Sequence, residues 1–106
     1  MAFQLTEDNF DETINSGKTV LVDFWAEWCA PCKMLNPTTQ ELEDEMDSEK
    51  VTIAKCDIQN QQALATKYGI MSIPSILIFK EGEVKEQIIG VVPKQDIKEK
   101  LKPYID

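Results

Sequence analysis

The sequence predicts a single α/β domain in which a mixed β-sheet is sandwiched between helices. Three observations carry that expectation. The 106 residues, 42% of them hydrophobic, supply one core and too little length for two. The run Val20-Leu21-Val22-Asp23-Phe24-Trp25 is apolar on both alternating faces apart from one Asp, the pattern of a central, normally parallel strand covered on both sides. Strand-like and helix-like segments then alternate until two strand runs flank a tight connection at Lys80-Glu81-Gly82-Glu83.

Taken in order, Thr6 is placed to cap a first helix at about 7–15, with Leu5 and Phe10 as a hydrophobic staple and Gly17 ending it. After the strand at 20–25, a helix is expected from Cys29 to about Ser48, with Leu35, Leu42 and Met46 along one stripe and a kink at Pro37. Val51 through Asp57 reads as a second strand, and Asn60 through Tyr68 as a short helix closed by Gly69, so the crossover is right-handed. Ile76-Leu77-Ile78-Phe79 and Val84 to Ile89 form an antiparallel hairpin on the sheet edge. A last helix begins near Lys94, aligns Ile97 with Leu101, and has its regular part ended by Pro103. The order is β-α-β-α-β-α-β-β-α, with no repeats and no glycine-rich phosphate loop.

Composition excludes several functions. Nineteen acidic residues against eleven basic ones, all Lys, give a net charge of -8, which argues against nucleic acid as a partner. Histidine is absent, which removes Ser-His-Asp and Cys-His hydrolases and imidazole metal sites. The first residues lack a secretory pattern and no apolar run reaches membrane-spanning length, so the expected location is the cytoplasm, with no membrane association.

The chemistry concentrates in Trp28-Cys29-Ala30-Pro31-Cys32, which follows the buried strand and opens a helix. First-turn N–H groups and the positive end of the helix dipole favour a thiolate at Cys29, the expected nucleophile. Cys32, three residues on, shares the helical face and lies within bonding reach of Cys29. Pro31 fits the first turn, where a missing N–H costs nothing. The chemistry requires an exposed, ionised sulfur at position 29. A purely stabilising bridge over so short a loop would contribute only about 2 kcal/mol, and the cytosol would reduce it. A zinc site would need a fourth soft ligand beyond Cys56, which the sequence does not offer, so no metal is expected. Cys56 itself reads as inert packing, with a regulatory thiol as the minority reading.

The run Val22-Asp23-Phe24-Trp25-Ala26-Glu27-Trp28-Cys29-Ala30-Pro31-Cys32-Lys33-Met34, followed by Tyr68-Gly69-Ile70-Met71-Ser72-Ile73-Pro74-Ser75, resembles the thioredoxin family over essentially the whole chain. The resemblance implies a thioredoxin fold, a central five-stranded mixed sheet flanked by four helices, as one domain over 1–106. It implies that Asp23 is a buried acid beneath the cysteines, able to take the proton of Cys32, with Lys55 its neighbour on the adjacent strand. Burial in a strand covered on both faces raises the pKa of such an Asp, and Lys55 partly opposes that. Ile73-Pro74, on sequence alone a turn, would be a cis peptide bond that sets the Ile73 backbone beside Cys29 for pairing with an extended peptide. Trp28, Pro31, Ile73, Pro74, Gly90 and Val91 would form the substrate-facing surface, while Phe24 and Trp25 belong to the core. Ala30 and Ser75 depart from the family's usual glycine and threonine, the former stiffening the loop.

The implied activity is reduction of protein disulfides through a Cys29-Cys32 disulfide, with no bound cofactor and electrons drawn from NADPH through a flavin-containing thioredoxin reductase. Clients of the ribonucleotide reductase, peroxiredoxin and methionine sulfoxide reductase classes follow from the same resemblance, for a monomer. The alternatives are a non-enzymatic subunit that docks on a partner, and an oxidant or isomerase of the same fold.

Overall fold

The computed structural model describes residues 2–105, so the expected domain limits, 1 and 106, lie outside the described residues. Five strands form one sheet: β1 (Phe3–Gln4), β2 (Thr19–Trp25), β3 (Val51–Asp57), β4 (Ser75–Lys80) and β5 (Glu83–Ile89), in the spatial order β1-β3-β2-β4-β5. Four helices join them: α1 (Phe10–Ile14), α2 (Ala30–Glu45), α3 (Gln62–Lys67) and α4 (Lys94–Ile105). The central strand β2 is parallel to β3 but antiparallel to β4, so it is parallel on one side only. The hairpin β4–β5 closes one edge as expected.

Alternation along β2 divides the interior into two cores. Val20, Val22 and Phe24 face one way, packing with Phe10, Ile14, Leu64, Leu77 and Phe79 under α1 and α3. The rings of Phe10, Tyr68 and Phe79 lie 5.3–5.6 Å apart in this layer. Leu21 faces the other way, with Leu35, Leu42, Ile76, Ile78, Ile97 and Leu101 under α2 and α4. Each of these fully buried side chains contributes about 2 kcal/mol of transfer free energy. Among the described residues no helix is long and apolar enough to cross a membrane.

Three helix limits differ from expectation, each for a local reason. The first helix starts at Phe10 rather than near 7, because the Thr6 N–H donates to Asn9 Oδ1 at 2.8 Å and holds residues 6–9 in a separate turn. Leu5 and Phe10 are nonetheless both buried in one cluster. Helix α2 runs through Pro37 and stops at Glu45 rather than Ser48, where Asp47 Oδ1 accepts the Glu49 N–H at 2.9 Å and starts a turn. Pro103 does not end α4, which continues to Ile105. Its last turn is held from outside: Thr19 Oγ1 donates to the Tyr104 carbonyl at 2.6 Å and the Tyr104 hydroxyl to Glu86 at 2.8 Å. Helix α3 occupies 62–67 within the expected 60–68. It closes at Gly69, with Ile70 N–H to Ala65 C=O and Gly69 N–H to Thr66 C=O, a Schellman motif.

Candidate active site

The carboxyl end of β2 leads through Ala26, Glu27 and Trp28 into α2, and Cys29 is the N-cap of that helix in an extended conformation. The Cys29 N–H donates to the Ala26 carbonyl at 3.1 Å, which tightens the strand-to-helix corner. Cys29 Sγ in turn accepts the Cys32 N–H at 3.2 Å, so a first-turn donor points at the sulfur. Such a donor, with the helix dipole behind it, favours negative charge on Sγ when the bond is reduced. Cys29 and Cys32 are joined in a disulfide, with Cα atoms 5.3 Å apart. Cys32 is buried on the inner face of α2, one turn before Leu35.

Across the corner, the Ile73-Pro74 peptide bond is cis, and the Ile73 carbonyl oxygen lies 3.9 Å from Cys29 Sγ. Gly90 is tied to the same place by its N–H, which donates to the Pro74 carbonyl at 2.9 Å. Trp28 (66% exposed) and Val91 (45%) stand outward, Pro31 is exposed, Ile73 and Gly90 are half-buried, and Pro74 is buried. The expectation of an exposed sulfur at position 29 needs correction, since Cys29 is only 5% exposed. The N-cap position turns its side chain back over the helix end, where Cys32, Ala26, Trp25, Ile58 and Ile73 pack around it. Access to the sulfur is therefore narrow. Met71, 96% exposed two residues before Ile73, was not singled out in the sequence, where it looks like one more apolar residue of that segment.

Asp23 occupies the face of β2 shared with Leu21, the face that α2 covers, and is fully buried. Neither of its oxygens has a hydrogen-bond partner among the described residues. Burial pushes its carboxyl from the ordinary 3.8 up to about 6, against the opposing charge of Lys55. Lys55 is its direct neighbour in the parallel β2–β3 register. The Lys55 ammonium does not bond Asp23, however; it donates to Asn36 Oδ1 at 2.7 Å and sits 4.6 Å from the centroid of the Trp25 ring. Asn36 was missed in the sequence because it lies 19 residues from Lys55 and no local pattern pairs them. Phe24 is in the core, whereas Trp25 is half-buried beneath the cysteine pair. Cys56 is fully buried in β3, its thiol pushed up to about 12 by burial and by the charges of Asp57 and Glu7. Among the described residues no group of three or more His, Cys, Asp or Glu could hold a metal ion.

A disulfide that closes across the first turn of a helix, its first sulfur at the N-cap, after a strand that also buries an unpaired carboxyl two residues before its end, defines a thiol-disulfide oxidoreductase. Residues 1–103 match the family model named Thioredoxin. The chain is 42% identical over 102 residues to thioredoxin of Staphylococcus haemolyticus, covering 96% of each. It is 43% identical over 100 residues to thioredoxin of Bacillus subtilis, covering 94% of each. Its fold superposes with a TM-score of 0.90 on a variant thioredoxin from Halobacterium salinarum, at 30% identity, covering 99% of this chain and 91% of that one. The chain belongs to the thioredoxin family. It is a protein-disulfide oxidoreductase of the kind that works with a thioredoxin reductase and with disulfide-bearing clients, which disfavours the reading as a non-enzymatic docking subunit.

Proposed function

We propose that this chain reduces client disulfides in the cytoplasm as a monomer, one thioredoxin domain over 1–106, and that Cys29 attacks while Cys32 resolves. Support comes above all from one observation, the Cys29-Cys32 bond with Cys29 at the N-cap of α2. In the cycle, Cys29 thiolate attacks one sulfur of a client disulfide, and the other client sulfur leaves as a thiolate. Cys32 passes its proton to Asp23 and attacks Cys29 Sγ, releasing the second client sulfur and forming the intramolecular disulfide. Two electrons thereby reach the client, and the dithiol is restored with electrons from NADPH through a flavin-containing thioredoxin reductase. No cofactor is bound by the chain itself.

Lys55 tempers the charge on Asp23 from the next strand. The surface made by exposed Trp28, Pro31 and Val91 around the less exposed Ile73, Pro74 and Gly90 receives the client, whose extended backbone pairs with Ile73 beside Cys29. Clients of the ribonucleotide reductase, peroxiredoxin and methionine sulfoxide reductase classes fit such a surface.

The roles are tested by trapping. Cys32→Ser is expected to accumulate a mixed disulfide with a client and Cys29→Ser is not, read by non-reducing electrophoresis; equal trapping by both variants refutes the assignment.

A further inference from the structure

Asn36 lies four residues after Cys32, on the same face of α2, and points its side chain at β3. A lysine ammonium can only donate, so the atom that Asn36 turns toward Lys55 is its carbonyl oxygen. The contact, at 2.7 Å, is a charge-assisted hydrogen bond from Lys55 Nζ, and the Trp25 ring supplies a second attraction at 4.6 Å from its centroid. Beside this contact opens a cleft of about 230 Å³ lined by Gln4, Asn36, Thr39, Gln40 and Lys55. An unanchored Lys55 would have solvent to move into there.

We propose that Asn36 is a positioning residue for the redox centre: its side-chain carbonyl pins the Lys55 ammonium against Trp25, and so fixes the one positive charge that acts on Asp23. The other groups around Asp23 leave that charge unrivalled. On β4 the facing residues Ile76 and Ile78 are apolar, as are Ile97 and Leu101 on α4 and Leu35 on α2, and Cys32 is in the disulfide. Asp57, further along β3, is engaged by the Gln59 N–H and by Asn60 Nδ2, both at 2.9 Å. Among the described residues Lys55 is also the one charge that opposes the effect of burial on Asp23. Without Asn36, the ammonium spreads over rotamers that reach the cleft, where water screens it, and its average hold on the carboxylate weakens. The consequence for catalysis rests on the proposed role of Asp23 as the acceptor of the Cys32 proton.

The test is a carboxyl carbon NMR titration of Asp23 in the oxidised protein, in the wild type, Asn36→Ala, Lys55→Met and the double variant. Alanine suits this half-buried helical position, so folding is retained. Asn36→Ala is expected to raise the Asp23 midpoint by about half a pH unit, Lys55→Met to raise it more, and the two together no more than Lys55→Met alone. A midpoint that stays or falls in Asn36→Ala, or an effect of Asn36→Ala that persists in the Lys55→Met background, overturns the proposal. The pH profile of mixed-disulfide resolution separates this from the role of Asp23. If the carboxyl midpoint moves and the resolution profile does not, Asp23 is removed from the mechanism while the hold of Asn36 on Lys55 stands.

Discussion

Cys29 and Cys56 are both buried, at 5% and 0% exposure, so burial alone does not separate the sulfur proposed to react from the one proposed to be inert. The difference lies in the backbone and the charges around each. Cys29 Sγ receives an N–H at the start of a helix, which favours the thiolate. Cys56 sits near the end of β3 with Asp57 and Glu7 nearby, and its thiol, pushed up to about 12, carries almost no thiolate at neutral pH. Iodoacetamide added to the reduced protein at pH 8 is therefore expected to alkylate Cys29 and to leave Cys56 untouched until the chain unfolds, as mapped by peptide mass spectrometry. Native-state labelling of Cys56 at a rate comparable to Cys29 would refute this. Cys56→Ala should cost about 1 kcal/mol for the small cavity and leave insulin reduction unchanged.

At the scale of elements, the hairpin that closes the sheet edge depends on a two-residue loop, Glu81-Gly82, with φ of +55° and +78°. Positive φ at both positions matches the right-handed twist of the flanking strands, and only glycine takes it without steric cost. The Gly82 N–H also donates to the Ile14 carbonyl at 3.1 Å, tying the hairpin to the end of α1, and a Cβ at Gly82 would run into the Asn15 side chain. Gly82→Ala should thus destabilise by about 1–2 kcal/mol in urea unfolding, whereas Glu81→Asn should stabilise by a few tenths. An unchanged midpoint for Gly82→Ala would show that the loop relaxes freely. Strands β2, β3 and β4 were legible in the sequence because burial writes a local apolar run, and the largely exposed β5 because the Glu81-Gly82 turn marks where the chain doubles back. By contrast β1, placed first in the strand order but given no residues, is only Phe3–Gln4; both are exposed and leave no pattern, since the pairing with β3 is made by backbone alone. Pro103 misled because the bonds that hold α4 past it come from Thr19 and Glu86, remote in sequence. The cysteine pair was legible because its spacing and its strand-to-helix junction are both local. The cis bond at Pro74 is marked only by the family resemblance, and the Asn36–Lys55 contact, made between a helix and a strand by residues 19 apart in the chain, leaves no local pattern.

The whole molecule carries a fully buried, unpaired carboxyl between β2 and α2, and this has a thermodynamic sign that can be worked out. Asp23 titrates near 6 in the folded chain against 3.8 when solvated, so between those values the folded state holds a proton that the unfolded state has released. Stability contributed by this group therefore falls as pH rises from about 4 to 6, and the cost is fully present above 6, at about 3 kcal/mol. Asp23→Ala removes the charge and leaves a small cavity in a face otherwise lined by Leu21, Leu35 and Ile76. The variant should be more stable than the wild type by about 1–3 kcal/mol at pH 8, and this advantage should fall by about 3 kcal/mol and be lost or reversed near pH 3.5, where Asp23 is protonated in the fold and largely so in the unfolded chain, leaving the cost of the cavity. Urea unfolding of both oxidised proteins at pH 3.5 and pH 8 measures it, and a difference independent of pH would mean that Asp23 does not titrate as its burial requires. Stability gained at pH 8 together with slower resolution of mixed disulfides would identify the carboxylate as a group retained for proton transfer, at the expense of the fold that buries it.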